Sequence, residues 1–144
     1  KYYEPFVQKL LEEEKGKLKL VYKHFPLMGH KYAMIASLAT EASGKQGKFW
    51  EMHDLLFEKQ EELSGASNGR DQVIKYAESL DLNMDQFKKD ISDKDLEAKI
   101  NQNRDEGTKN GVNSTPTFFI NGRMIQLSGD YNAFKQTIIE GYGK

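Results

Sequence analysis

Apolar side chains recur at three- and four-residue intervals over Tyr2 to Lys15 (Tyr3, Phe6, Val7, Leu10, Leu11), and this spacing predicts an amphipathic helix. Pro5 fits only in its first turn, where the missing N–H costs nothing. From Lys17 to Phe25 the pattern changes to alternation, with Leu18, Leu20, Tyr22 and His24 on one side and Lys19, Val21, Lys23 and Phe25 on the other, which predicts a strand stopped by Pro26. Helical spacing returns from His30 to Ser43, where Tyr32, Ile35, Ala36, Ala39 and Ala42 form a stripe of mostly small residues suited to close packing. A second helix follows the Gly44 and Gly47 break, with Phe49, Trp50, Met52, Leu55, Leu56 and Phe57. The polar stretch Glu61 to Arg70 reads as a mobile surface connection.

Val73, Ile74, Ala77 and Leu80 predict a helix over Asp71 to Leu80. Asn83 followed by Gln86 resembles a capping box for a short helix with Met84, Phe87 and Ile91 inward. Ser92 is the expected cap of a largely exposed helix from Asp93 to about Lys109. Thr117 to Ile120 are β-branched or aromatic, and Asn121-Gly122 tolerates the two positive φ angles of a type I′ turn, so Thr117 to Met124 predicts a β-hairpin. Pro116 leads into its first strand, a position open to a residue with no N–H for a ladder. A closing helix from Asp130 to Tyr142 would bury Tyr131, Phe134, Ile138 and Tyr142. The direct reading is an α/β chain: a three-stranded sheet interrupted by a large helical insertion.

Composition narrows the function more than the fold. The 144 residues carry 21 basic and 22 acidic side chains, so the net charge of −1 gives no reason to expect a nucleic acid or an anionic membrane surface as partner. No apolar run approaches the ~20 residues that cross a bilayer. There is no cysteine, which excludes disulfides, thiolate nucleophiles and thiolate metal sites within these residues. His24, His30 and His53 show no zinc-like spacing, so no metal is expected. Ser114 lacks the glycine-flanked elbow and the Ser/His/Asp arrangement of a nucleophile. Phe6, Trp50, Phe57, Phe118 and Phe119 could line a peptide groove, but for most of them core packing accounts for the spacing.

Three stretches carry a resemblance. Gly111-Val112-Asn113-Ser114-Thr115-Pro116-Thr117-Phe118-Phe119-Ile120-Asn121-Gly122 resembles the cis-proline loop and following hairpin of the DsbA-like thiol:disulfide oxidoreductases. Val21-Tyr22-Lys23-His24-Phe25-Pro26-Leu27 is similar to the strand end that precedes that family's helical insertion, and Gly47 to Gln60 to the insertion's second helix. The resemblance implies one thioredoxin-like domain over residues 1–144, with 1–26 and 111–144 as the thioredoxin part and 27–110 as an all-helical insertion, here lacking the N-terminal strand or strands. It also implies thiol–disulfide exchange on protein or peptide thiols, with no cofactor.

In that family a C-x-x-C pair sits at the N-terminus of the first long helix, where free N–H groups and the positive dipole end stabilise a thiolate. The expected place for it is immediately before Lys1, so this cysteine-free chain is expected to be inactive alone. A strand missing from the middle of the sheet would leave unpaired edges, which a second copy could fill by swapping. By the same resemblance, Ser114, Thr115 and Pro116 would bind substrate; Thr115 and Pro116, joined by a cis bond, would also be catalytic, the Thr115 backbone turning toward the thiols and tuning them, and His24 would modulate a neighbouring thiol. The resemblance implies an extracytoplasmic setting, with the leader not present here, and a membrane redox partner. Two other readings remain open: a redox-inactive peptide-binding module that uses the cis-proline groove, and a glutathione-dependent isomerase or transferase of the same fold.

Overall fold

The computed structural model describes residues 2–127 and 129–142, the side chain of Tyr142 excepted. In chain order the elements are α1 (Glu4–Glu13), α2 (Ala33–Gly44), α3 (Phe49–Glu58), α4 (Gln60–Gly65), α5 (Gly69–Ser79), α6 (Met84–Asp90), α7 (Lys94–Lys109), β1 (Phe118–Ile120), β2 (Arg123–Ile125) and α8 (Tyr131–Tyr142). They group into two compact units, one of Lys1–Tyr22 with Val112–Lys144 and one of Lys23–Gly111.

In the first unit the hairpin has the expected turn. Asn121 and Gly122 have φ of 47° and 81°, and β1 pairs antiparallel with β2 through Phe118↔Ile125, Phe119↔Met124 and Ile120↔Arg123. The alternation of β1 sends Phe118 and Ile120 to the core side, where Leu10 of α1 and Phe134 and Ile138 of α8 are 4%, 2% and 8% exposed. Phe134 is at the centre of an aromatic cluster, with ring centroids 6.0 Å from Tyr3, 5.8 Å from Phe6 and 6.1 Å from Phe118. Asp130 caps α8, its Oδ1 accepting from the N–H groups of Asn132 and Ala133. Pro5 lies in the first turn of α1. The predicted contribution of Tyr142 to the α8 stripe lies outside the described side chains.

The predicted strand over Lys17–Phe25 is absent. Its burial alternates at the start, with Leu18 and Leu20 half-buried and Lys19 and Val21 exposed, yet the backbone enters no ladder. Alternation chooses which face is buried, whereas a strand also needs a hydrogen-bonded neighbour, and among the described residues only β1 and β2 pair. The sheet therefore has two strands, not three.

The helical unit is arranged around α2, which packs against α3, α5, α6 and α7. Small residues make this approach possible: Ala39, Ala42 and Ser43 are completely buried, as are Met52, Val73, Ala77, Phe87 and Ile100 around them. Asn68, Asn83 and Asp93 cap α5, α6 and α7. Asp93 takes the place expected for Ser92, because its carboxylate reaches the Asp95 N–H at 2.8 Å while the Ser92 hydroxyl donates to Lys88 O. The capping box at α6 is half made: Asn83 Oδ1 accepts from Gln86 N–H, but the Asn83 N–H donates to Gln46 at 2.8 Å and not to Gln86. Lys45 ties α6 to α7, with Nζ 3.0 Å from both Asp90 and Asp93.

The stretch Glu61–Arg70, read as a mobile connection, instead holds all of α4 but its first residue, and the start of α5. Leu63 is buried, and the Tyr32 hydroxyl donates to the carbonyls of Ala66 at 2.8 Å and Ser67 at 3.2 Å, so packing fixes a segment whose composition is loop-like. The core expectation holds for Phe6 and Phe118. It fails for Trp50, Phe57 and Phe119, which keep 39%, 39% and 40% exposure.

Candidate functional site

The loop from Val112 to Thr117 leaves α7 through Gly111, whose φ of 84° suits a residue without Cβ. It ends where Phe118 is anchored against Tyr3, with ring centroids 5.6 Å apart. Between those points Ser114, Thr115 and Pro116 are all exposed, and the Thr115–Pro116 peptide bond is cis. The Thr117 hydroxyl donates to Ser114 O at 2.7 Å, which closes the loop and occupies that carbonyl. Among the described residues nothing pairs with the N–H or C=O of Thr115. An exposed backbone donor and acceptor at the lead-in to a strand form the start of an edge that an extended chain can extend. The structure thus brings Ser114, Thr115 and Pro116 together in a single exposed turn of the first unit.

His24 belongs to the helical unit, where it is 4% exposed. Its Nε2 lies 3.1 Å from Glu41 Oε1, and its backbone N–H donates to Asn103 Oδ1 at 3.3 Å. Lys99 Nζ reaches the other Glu41 oxygen at 2.6 Å. The hydrogen bond from His24, joined by Lys99 and opposed by desolvation, lowers the Glu41 carboxyl from 4.5 to about 2. Glu41, Lys99 and Asn103 carried no signal in the sequence, because their partners lie 17, 58 and 79 residues away. His30 is exposed, and His53 is buried with Nδ1 2.8 Å from Asp54 Oδ1.

The chain is 42% identical over 130 residues to the Na(+)/H(+) antiporter NhaA 3 of Salinispora tropica, a match covering 90% of this chain and 19% of the antiporter. It is 32% identical over 122 residues to the Na(+)/H(+) antiporter NhaA of Herminiimonas arsenicoxydans, covering 85% and 18%. It is 29% identical over 129 residues to the probable disulfide bond formation protein D of Bacillus cereus, covering 87% and 58%. The chain spans 19% of the length of the two Salinispora antiporters it matches. No solved structure matches it. The family model described as thioredoxin matches residues 2–140, which agrees with a hairpin led by a proline loop and a separate helical unit. Covered by that match almost from end to end, the chain belongs to the thioredoxin family.

Proposed function

We propose that the chain is the substrate-holding part of a DsbA-like thiol–disulfide oxidoreductase domain that acts on extended protein or peptide thiols. The observation that carries this reading is the unpaired, exposed Thr115 backbone between Ser114 and Pro116, at the head of β1. A substrate main chain would donate to Thr115 C=O and accept from its N–H as a short added strand. The likeness to a probable disulfide bond formation protein supports the chemistry; a membrane redox partner and an extracytoplasmic setting are part of the same proposal.

The exchange has two balanced steps. A substrate thiolate attacks one sulfur of a disulfide, forming a mixed disulfide and releasing the other sulfur as thiolate; the substrate's second thiolate then attacks the mixed disulfide. The substrate leaves oxidised and the domain is left as a dithiol. None of the 144 residues is cysteine, so the sulfur pair must come from outside them, and a C-x-x-C segment before Lys1 in the native polypeptide is the source we propose.

Oxidation of a dithiol peptide, measured for the native polypeptide and for these 144 residues, tests the reading. The native polypeptide should oxidise the peptide and the 144 residues should not; turnover by the cysteine-free chain would refute the assignment. The absence of cysteine also favours a second reading, a redox-inactive peptide-binding module. That reading prevails if the native polypeptide binds the peptide and leaves its thiols reduced.

A further inference from the structure

Asparagine followed by glycine is prone to lose its side-chain ammonia, because glycine's bare backbone lets its nitrogen approach the asparagine side-chain carbonyl. The chain contains three such pairs, Asn68-Gly69, Asn110-Gly111 and Asn121-Gly122. The reaction needs an asparagine amide free to rotate and a glycine N–H free to attack, and the three pairs differ sharply in both.

Asn68 is the cap of α5, its Oδ1 held by Arg70 N–H at 2.9 Å and Asp71 N–H at 3.4 Å. Gly69 beside it is buried against the Tyr32 ring. Asn110 donates through Nδ2 to Glu106 O at 2.7 Å, and the Gly111 nitrogen is itself engaged, its N–H donating to Thr108 O at 3.0 Å. At the hairpin tip both residues are exposed. Among the described residues, neither the Asn121 amide nor the Gly122 N–H has a hydrogen bond, and a Cβ placed on Gly122 would meet nothing within 4 Å.

We propose that Asn121 is a site of spontaneous modification by water. The Gly122 nitrogen attacks Asn121 Cγ, a C–N bond closes the succinimide ring, and the side-chain nitrogen leaves as ammonia with the Gly122 proton. Water then adds to either ring carbonyl, breaks one of the two C–N bonds, and leaves aspartate or isoaspartate. Aspartate keeps a side chain that tolerates positive φ and adds a negative charge beside Arg123. Isoaspartate inserts a methylene into the main chain of a two-residue turn and so disturbs the Ile120↔Arg123 register. The strand affected continues directly from the Ser114–Pro116 loop, so the modification falls in the hairpin that carries the candidate site. Ring closure at Asn121 is independent of what the loop binds.

The test incubates the folded 144-residue chain at mildly alkaline pH and follows deamidation by tryptic digestion and fragment mass spectrometry. Cleavage after Lys109 and Arg123 puts Asn110 and Asn121 in one peptide, so each controls for the other. Conversion at Asn121 should exceed that at Asn110 and Asn68 by about tenfold or more, since those two must first be released by local opening. The three rates should converge in the urea-unfolded chain. The proposal is overturned if Asn110 or Asn68 keeps pace in the folded chain, if Asn121 stays intact, or if its lead persists in urea, which would place the cause in the neighbouring sequence.

Discussion

Replacing Gly69 by alanine sets two physical effects of opposite sign against each other. Helix propensity alone favours alanine, by at most about 1 kcal/mol at this first position of α5. Packing opposes it: the added Cβ would collide with Tyr32 Cδ1 and lie 2.7 Å from Cγ and 2.8 Å from Cε1, so the ring has to swing away. Overpacking of this kind costs roughly 1–3 kcal/mol. A displaced ring also gives up the hydroxyl's one donated proton, shared between Ala66 O and Ser67 O, at about 1 kcal/mol. The net expectation is a loss of roughly 1–3 kcal/mol, which lowers the urea midpoint by about 0.5–1.5 M. Trp50, the only tryptophan, lies in α3 of the same unit and its fluorescence reports the transition. Gly65→Ala is the control: a Cβ there meets nothing within 4 Å, so the midpoint should hold or rise slightly. A Gly69→Ala midpoint at or above that of the unmodified chain would refute the close approach of Tyr32 to α5.

Three further outcomes follow from the same geometry. Glu41 has its folded pKa lowered from 4.5 to about 2, so its contribution is fully present above pH 4.5 and fades as pH falls toward 2. After allowance for solvent screening that is about 1–2 kcal/mol, and acid titration of Glu41→Gln should lack it, whereas an unchanged acid profile would contradict the His24–Glu41–Lys99 arrangement. Phe134→Ala should remove about 3–5 kcal/mol from the unit containing the hairpin, seen as lost amide protection in β1 and β2; retained protection would show that the aromatic cluster is not what holds it. Asn68→Ala should cost the helical unit about 1 kcal/mol through loss of the α5 cap, read from the same Trp50 transition, and no shift would remove the cap from the account.

How much was legible in the sequence depended on the range of the signal. The α5 stripe of Val73 and Ala77, the α8 stripe of Phe134 and Ile138, and the Asn121-Gly122 turn are local patterns, and the structure shows them where the spacing puts them. Lys17–Phe25 was misread because alternation specifies a buried face and is silent on whether a neighbouring strand exists. The helix α4 was missed because its only strong apolar signal is Leu63, and its order comes from Tyr32 more than 30 residues earlier, a separation of 34 to Ala66. The shift of the α7 cap from Ser92 to Asp93 is a choice between adjacent competent residues, decided by where Ser92 finds partners in Lys88 and Arg70. In the site, Pro116 was visible because a residue with no N–H for a ladder leads directly into the β-branched and aromatic run Thr117 to Ile120. That Thr115 keeps both backbone groups unpaired while Ser114 loses its carbonyl to Thr117 is a matter of loop closure, which residue types alone do not encode.

The most direct measurement is the backbone amide spectrum of the 144-residue chain during titration with an extended peptide whose cysteine is replaced by serine, so that binding is seen apart from exchange. The account predicts saturable shifts centred on Ser114, Thr115 and Thr117, with slowed solvent exchange at the Thr115 N–H as it enters the added ladder. Shifts that leave residues 113–118 untouched while the peptide binds elsewhere would contradict it.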